Sequence, residues 1–200
     1  MPDWDADGPQ LRQNLAKLLR QIRDEARQRL EPSLESARRW HRMSLQGLTV
    51  PNTAMVGRFR GEPGLEGLEV QIGLHLGVAS MAVSGAVSEF ERRLQRAVRR
   101  LDALIPVGSE LDADQLAAVL NLCAWAHAEW VRIHPFANGN GRSARLWANS
   151  LAMRYGLPPF IRLRPRPDGN YASAGEAAMR GDEKPTSAMF RQMLEEVLHG

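Results

Sequence analysis

The segment from Ala113 to Ile133 constrains the fold most, because it is apolar on almost every face that a helix would have. Asp112 stands directly before it and Gln115 follows three residues later, which is the pattern of a capping box at a helix N-terminus. A helix that is apolar all round is surrounded by other elements, whereas a surface helix needs only one apolar stripe. The sequence therefore predicts a long helix over 113–133 in the middle of the domain.

Helical periodicity recurs on both sides of this segment. Leu11, Leu15, Leu18 and Ile22 fall on one face of an amphipathic helix that starts near residue 10. Proline stops a helix, so Pro32 ends this one, and the serine that follows can cap a second helix that ends near residue 47. The same reasoning predicts helices over residues 87–104, 143–155, 169–180 and 185–198.

One stretch changes to a two-residue period. In residues 68–76 (LEVQIGLHL) apolar residues alternate with Glu, Gln, Gly and His, as in a half-buried strand. Residues 56–64 (VGRFRGEPG) give a shorter strand candidate followed by turn residues. The prediction is an all-α fold with one β-hairpin, one face of which lies on the domain while the other is available to a partner.

Composition narrows the function classes. The 200 residues carry 26 basic and 23 acidic side chains, and this balance is unlike the polycationic surface of a nucleic-acid binder. Arginines do recur in residues 12–42 and 92–100, but their interleaving with Glu, Asp and Leu favours solvated helix faces over nucleic-acid binding. A single cysteine and the lack of any run of ~18 apolar residues predict a cytoplasmic protein that does not enter a membrane.

The chemistry of the sequence lies directly after the central helix, in residues 134–145 (HPFANGNGRSAR). Gly139 and Gly141 bracket Asn140 and let main-chain N–H groups approach a bound group closely. A helix predicted to begin near Arg142 aims its N-terminus into the same turn. Unpaired N–H groups and the positive end of a helix dipole together form an anion site that suits phosphate.

Three side chains define the predicted reaction at this turn. Arg142 and Arg145 are three residues apart, so both guanidinium groups lie on one side of the first helical turn and can grip the outer phosphates of a nucleoside triphosphate. His134 leaves the buried helix beside them, and a neutral imidazole there can accept a proton from an attacking hydroxyl. We therefore predict that His134 acts as general base.

These residues resemble the Fic family, whose motif reads His-x-Phe-x-Asp/Glu-Gly-Asn-Gly-Arg-x-x-Arg. The positions that match are His134, Phe136, Gly139, Asn140, Gly141, Arg142 and Arg145. The resemblance implies a helical bundle with a hairpin flap, made of a catalytic domain over residues 51–200 and an N-terminal helical segment, residues 1–50, packed on it. It also implies transfer of AMP from ATP to a hydroxyl of a target protein, with Gly139, Asn140, Gly141 and Arg142 on the phosphates and Arg145 on the outermost one.

Two further assignments come from the resemblance alone. The family's flap pins a strand of the target protein, which places target docking on Glu69, Val70, Gln71, Ile72, Gly73 and Leu74. Asn138 stands where the family usually has the Asp or Glu that binds magnesium, so a neutral carbonyl would have to serve as metal ligand. The family also has a tyrosine on the helix after the motif, and Tyr171 fits either that place near the nucleotide or a core position.

The sequence leaves open how the protein is regulated and which nucleotide or group it transfers. Many family members carry a Ser/Thr-x-x-x-Glu helix whose glutamate obstructs ATP, and no Ser or Thr of this chain has Glu four residues later. Either the chain is unrestrained or an inhibitory partner supplies that glutamate, as in toxin–antitoxin members. Alternatives to AMP transfer are transfer of another nucleotide or phosphate-linked group, and a degenerate domain that binds without catalysis. Asn138 motivates the last alternative, whereas the intact histidine and both arginines oppose it.

Overall fold

The computed structural model describes Trp4, residues 8–72 and residues 74–200. These residues form seven α-helices, a short 3-10 turn at Thr53–Met55 and one antiparallel hairpin. The helices are α1 (Pro9–Arg27), α2 (Leu34–Ser44), α3 (Ser80–Leu104), α4 (Ala113–Ile133), α5 (Asn140–Arg154), α6 (Tyr171–Met179) and α7 (Lys184–His199). The strands are β1 (Gln71–Ile72) and β2 (His75–Leu76). The predicted all-α fold with one hairpin is confirmed.

Helix α4 is the centre of the bundle, as its sequence predicts, and contacts α3, α5, α6 and α7. Its N-terminus carries the predicted capping box. The Gln115 N–H donates to Asp112 Oδ1 at 2.8 Å, and the Asp112 N–H donates to Gln115 Oε1 at 3.1 Å. The helix ends at Ile133, so the motif begins where this central helix stops.

An aromatic cluster joins α4 to the elements around it. Trp130 of α4 has its ring centroid 5.1 Å from that of Phe90 on α3 and 5.8 Å from that of Trp147 on α5. Phe136 of the motif enters this cluster, with its centroid 4.9 Å from that of Phe59 and 5.9 Å from that of Trp130. Edge-to-face rings bury large areas in fixed geometry, so the cluster gives the motif loop a rigid support.

The first two helices pack on the same core. Ser33 caps α2 by accepting a hydrogen bond from the N–H of Ser36, as predicted. Trp40 of α2 lies edge-on to Trp147 of α5, with 4.7 Å between the ring centroids. Leu11 and Leu18 of α1 are fully buried in the core that also contains α4 and α5. The boundary at residue 50 between an N-terminal segment and a catalytic domain stays a prediction.

The hairpin differs in detail from the prediction. The strand expected over residues 56–64 is wrong, because Gly57, Gly61 and Gly64 all have positive φ angles of 72° to 82° and turn the chain repeatedly. Both strands instead come from residues 68–76, where Gln71 pairs with Leu76 and Ile72 with His75.

Within the residues that the structure describes, no helix has the length and apolarity needed to cross a membrane.

Two helices begin earlier than predicted. Helix α3 starts at Ser80 rather than residue 87, and the N–H of Ser80 donates to the side chain of Glu69 at 2.9 Å. A carboxylate eleven residues upstream therefore serves as the cap, which no local pattern reveals. Helix α5 starts at Asn140, so Gly141 lies inside its first turn.

Candidate active site

A cavity of about 810 Å³ opens between the hairpin, the C-terminal half of α4, the motif loop and α6. Its wall contains the side chains of Arg142, Arg145, Arg164 and Arg166. Among the described residues that line it, Glu176 is the one carboxylate. The cavity is therefore strongly positive, and it is large enough for a nucleotide-sized anion.

His134 lies in this wall at the C-terminal cap of α4. Its backbone is left-handed, with φ 53° and ψ 56°, and turns the chain from the helix into the motif loop. The side-chain Nδ1 lies 2.9 Å from the carbonyl oxygen of Val131 and donates a proton to it. That bond fixes the tautomer and leaves Nε2 as an acceptor. Burial lowers the pKa of His134, and the nearby Arg60 charge lowers it further, so the imidazole is neutral and able to accept a proton.

Arg60 holds the backbone of His134, although the sequence analysis gave it no role. Its Nε donates to the carbonyl oxygen of His134 at 2.8 Å, and one terminal nitrogen donates to those of Val78 at 2.7 Å and Ile133 at 3.2 Å. The other terminal nitrogen donates to the carbonyl of Leu68 and to the Glu69 carboxylate. One fully buried guanidinium thus joins the end of α4 to both ends of the hairpin segment.

The motif loop is closed by its own asparagine. Asn140 Oδ1 accepts from the N–H of Phe136 and Nδ2 donates to the Phe136 carbonyl, each at 2.8 Å. Gly139 has φ 80°, and a Cβ at this position would lie 3.2 Å from the Arg142 guanidinium. The glycine therefore meets two demands, a left-handed turn and close approach of a cation. Because the side chain of Asn140 shapes the loop, its contact with a phosphate stays a prediction.

His41 on α2 supports the loop from behind, and sequence reasoning missed it. Its Nε2 lies 3.0 Å from the carbonyl oxygen of Asn138, its Nδ1 accepts from the N–H of Gly57 at 2.9 Å, and its ring stacks on Phe136 with 4.0 Å between centroids. Burial lowers its pKa to about 4, so it is a neutral imidazole. The available signal was a histidine beside Trp40 on the apolar face of a predicted helix.

The two motif arginines both lie in the cavity wall, and both are 3% exposed. Their contact with phosphates stays a prediction. Arg142 donates to the carbonyl oxygen of Trp4 at 2.9 Å. Arg145 donates to the hydroxyl of Tyr171 at 2.9 Å and to the carbonyl oxygen of Leu163 at 3.0 Å. The structure thus brings His134, the loop glycines and both arginines to one cavity beside the N-terminus of α5.

Asn138 also lines the cavity, but it fits a magnesium ligand poorly. Its side-chain oxygen accepts a hydrogen bond from the N–H of Gly139, and its main-chain oxygen is bonded to His41. A neutral amide oxygen already engaged in the loop is a weak ligand for a hard cation. The described residues also hold no group of three or more His, Cys, Asp and Glu side chains placed to bind a metal.

The predicted flap residues occupy different positions. Val70, Gln71 and Ile72 line the cavity, whereas Leu74 is 95% exposed at the hairpin turn. Glu69 binds Arg60 and caps α3, so it anchors the hairpin in addition to any contact with a target. Gly73 lies outside the described residues. Docking of a target on this segment stays a prediction.

Comparison with known proteins places the fold and the motif in one family. The model of the Fic/DOC family matches residues 30–152, which is more than half of the chain. Protein adenylyltransferase Fic of Drosophila persimilis is 38% identical over 79 residues, covering 40% of this chain and 15% of that protein. The chain belongs to the Fic/DOC family. It spans about one sixth of the length of such curated relatives.

Solved structures agree on the fold. A Fic-domain signalling protein of Bacteroides thetaiotaomicron superposes with a TM-score of 0.64 at 21% identity, covering 94% of this chain and 69% of that one. BepC of Bartonella tribocorum, solved with bound AMPPNP, superposes with a TM-score of 0.59 at 14% identity, covering 96% and 90%. At these identities the likeness is one of fold, which confirms the helical bundle with a hairpin beside the motif loop.

Proposed function

We propose that this protein is an adenylyltransferase that moves AMP from ATP to a hydroxyl side chain of a target protein. The observation that carries the proposal is the position of His134, whose Nε2 is left as an acceptor in the same cavity that holds both motif arginines and the N-terminus of α5. A proton acceptor next to a built anion site is what phosphoryl-group transfer to a hydroxyl requires. The names of the curated relatives support the same reaction.

The reaction follows from these groups. Nε2 of His134 takes the proton of the target hydroxyl, and the oxygen attacks the α-phosphorus of ATP. A bond forms between that oxygen and phosphorus, while the bond from phosphorus to the bridging oxygen breaks and pyrophosphate leaves. Main-chain N–H groups at the start of α5, together with Arg142 and Arg145, stabilise the charge on the phosphates. Val70, Gln71 and Ile72 would guide the target strand along the cavity rim.

The first experiment is a labelling assay. Purified protein is incubated with magnesium and α-³²P-labelled ATP, with and without a cell lysate from its own organism, and protein bands are examined for label. The proposal expects label on a protein band with ATP labelled at the α-phosphate and none with ATP labelled at the γ-phosphate. Label only from GTP, UTP or CTP would favour another donor, since the loop N–H groups and the two arginines are assigned to the phosphates and none of them is assigned to the base. Nucleotide binding without label from any donor would favour a domain that binds without catalysis.

Asn138 provides a test of how the site uses magnesium. Asn138→Asp should raise the magnesium-dependent transfer rate several-fold, because a carboxylate is a better ligand for a hard cation than an amide. Transfer rates are measured against magnesium concentration, with Ala137→Asp as the matched control that adds the same charge one residue earlier. An unchanged or lower rate would mean that the Asn138 side chain serves the loop through Gly139 instead.

Control of the enzyme is also a proposal. An antitoxin-like partner that reaches Arg145 would block the site, since this chain has no Ser/Thr-x-x-x-Glu sequence of its own. Cytoplasmic location and the absence of nucleic-acid partners stay predictions from composition.

A further inference from the structure

Arg145 is held by groups outside the motif. The residue is on α5, yet its side chain crosses to the N-terminus of α6, where one terminal nitrogen donates to the Tyr171 hydroxyl at 2.9 Å. The other terminal nitrogen donates to the carbonyl of Leu163 at 3.0 Å, in the loop between α5 and α6. The guanidinium carbon lies 5.5 Å from the centroid of the Tyr171 ring, so ring and hydroxyl both contact the cation.

The Tyr171 hydroxyl continues to a second buried group. His127 of α4 is 2% exposed, and its Nε2 lies 2.8 Å from the Tyr171 oxygen. Burial lowers the pKa of His127 to about 3, with the Arg145 charge acting in the same direction, so the ring is neutral. Because Arg145 can only donate, the tyrosine oxygen accepts from it, and the tyrosine proton is available to His127. The contacts form a line from α5 through α6 to α4.

Arg145 also has one donor that these contacts do not use. Nε of Arg145 is buried and has no hydrogen-bond partner among the described residues, although the side chain lines the cavity. A terminal nitrogen of the same side chain would lie 3.4 Å from a Cβ at Gly141, which puts the guanidinium against the first turn of α5. A buried charged donor without a partner is costly unless an anion completes its contacts.

We propose that Tyr171 and His127 are positioning residues that fix the Arg145 guanidinium for the outer phosphates of the bound nucleotide. The long arginine side chain has many rotamers, and holding one of them before the ligand arrives removes an entropy cost from binding. The Tyr171 hydroxyl and the Leu163 carbonyl each hold one end of the guanidinium, while His127 fixes the hydroxyl. The inference rests on the proposed function, because it assumes a nucleotide in the cavity.

Tyr171→Phe tests the proposal by removing one oxygen while keeping the ring. The variant should bind a non-hydrolysable ATP analogue about tenfold more weakly, on the scale of one charged hydrogen bond, and should bind AMP as the wild type does. AMP lacks the outer phosphates and so does not need Arg145. Dissociation constants for both nucleotides are measured by calorimetry. His127→Phe should also weaken binding of the ATP analogue and leave AMP binding unchanged.

The matched control is Tyr155→Phe. Tyr155 is also a buried tyrosine, but its hydroxyl donates to the carbonyl of Val98 at 3.3 Å, outside the cavity. Both variants lose one buried hydroxyl, so a purely structural role predicts similar changes in melting temperature and no change in the ratio of ATP to AMP affinity. The proposal expects that ratio to fall for Tyr171→Phe alone.

A double variant shows whether Tyr171 acts through Arg145. In an Arg145→Ala background, adding Tyr171→Phe should leave the ATP affinity unchanged, because the group that it positions is gone. A persistent loss in that background, or equal loss for ATP and AMP, overturns the proposal, and so does a wild type that binds no ATP. A wild type that binds ATP but transfers no label contradicts the proposed function while leaving this inference intact.

Discussion

His134→Ala should reduce transfer by a factor of about 10² to 10⁴, the range that general base catalysis supplies, while the affinity for ATP stays near that of the wild type. The His134 imidazole lies in the cavity wall together with both motif arginines, and its Nε2 is left as an acceptor because Nδ1 donates to Val131. Its Nδ1 is bonded to Val131 and does not support the phosphates. The measurements are the rate of label transfer from α-³²P ATP and the dissociation constant of a non-hydrolysable analogue.

A second variant separates the loss of the base from a distortion of the backbone at residue 134. His134 has a left-handed backbone, with φ 53°, which alanine adopts less readily than asparagine. His134→Asn should therefore lose transfer to the same extent with a melting temperature close to that of the wild type, because asparagine is no base. Retained transfer by either variant would remove the general-base assignment. In the wild type, the lowered pKa keeps the base neutral as the pH falls through ~6.5, so the rate should decline only below that value.

The parts of the fold that the sequence predicts are those specified by local signals. The central helix begins and ends at the predicted residues because its capping box and its all-round apolar character lie within the segment. The Ser33 cap was predicted for the same reason. By contrast, the early start of α3 depends on a hydrogen bond to Glu69, which belongs to another element. The strand predicted over residues 56–64 failed because its alternation is interrupted by glycines in left-handed turns.

In the candidate site, too, the residues specified by local sequence could be predicted and those that act through distant contacts could not. Motif residues such as His134 and Arg145 could be located because they are adjacent in sequence and chemically specific. Arg60, His41 and His127 could not, because each acts through carbonyls or side chains that are distant in sequence and meet only when the helices pack. In sequence, Arg60 cannot be told from a surface arginine in a Gly-rich turn, because its partners are brought to it only by the fold. Its importance is therefore a property of the tertiary structure.

Arg60 is the second residue for which a large effect is expected. Arg60→Met keeps most of the volume of the side chain but removes five hydrogen bonds. The carbonyls of His134 and Val78 lose this donor, and the buried carbonyl of Ile133 keeps the N–H of Val78 at 3.3 Å. An unsatisfied buried acceptor costs roughly 1–3 kcal/mol, so we expect the free energy of unfolding to fall by about 3 kcal/mol or more. Transfer should fall as well, because the backbone that carries His134, the proposed general base, is released.

The measurements for Arg60 are a urea unfolding curve and the transfer rate, with Arg58→Met as matched control. Arg58 is two residues away in the same turn, but its guanidinium is partly exposed and bonds Glu62 and the carbonyl of Pro63. Exposed contacts of that kind are worth about 1 kcal/mol or less, so the control should stay close to wild type.

Arg60→Lys keeps the charge but presents one ammonium, which cannot reach five acceptors on two sides, and it should restore stability only in part. If Arg60→Met has the same free energy of unfolding and the same transfer rate as Arg58→Met, the hairpin and His134 are not coupled through this side chain. If transfer falls in Arg60→Lys while ATP affinity is kept, the guanidinium holds the base in position as well as the fold.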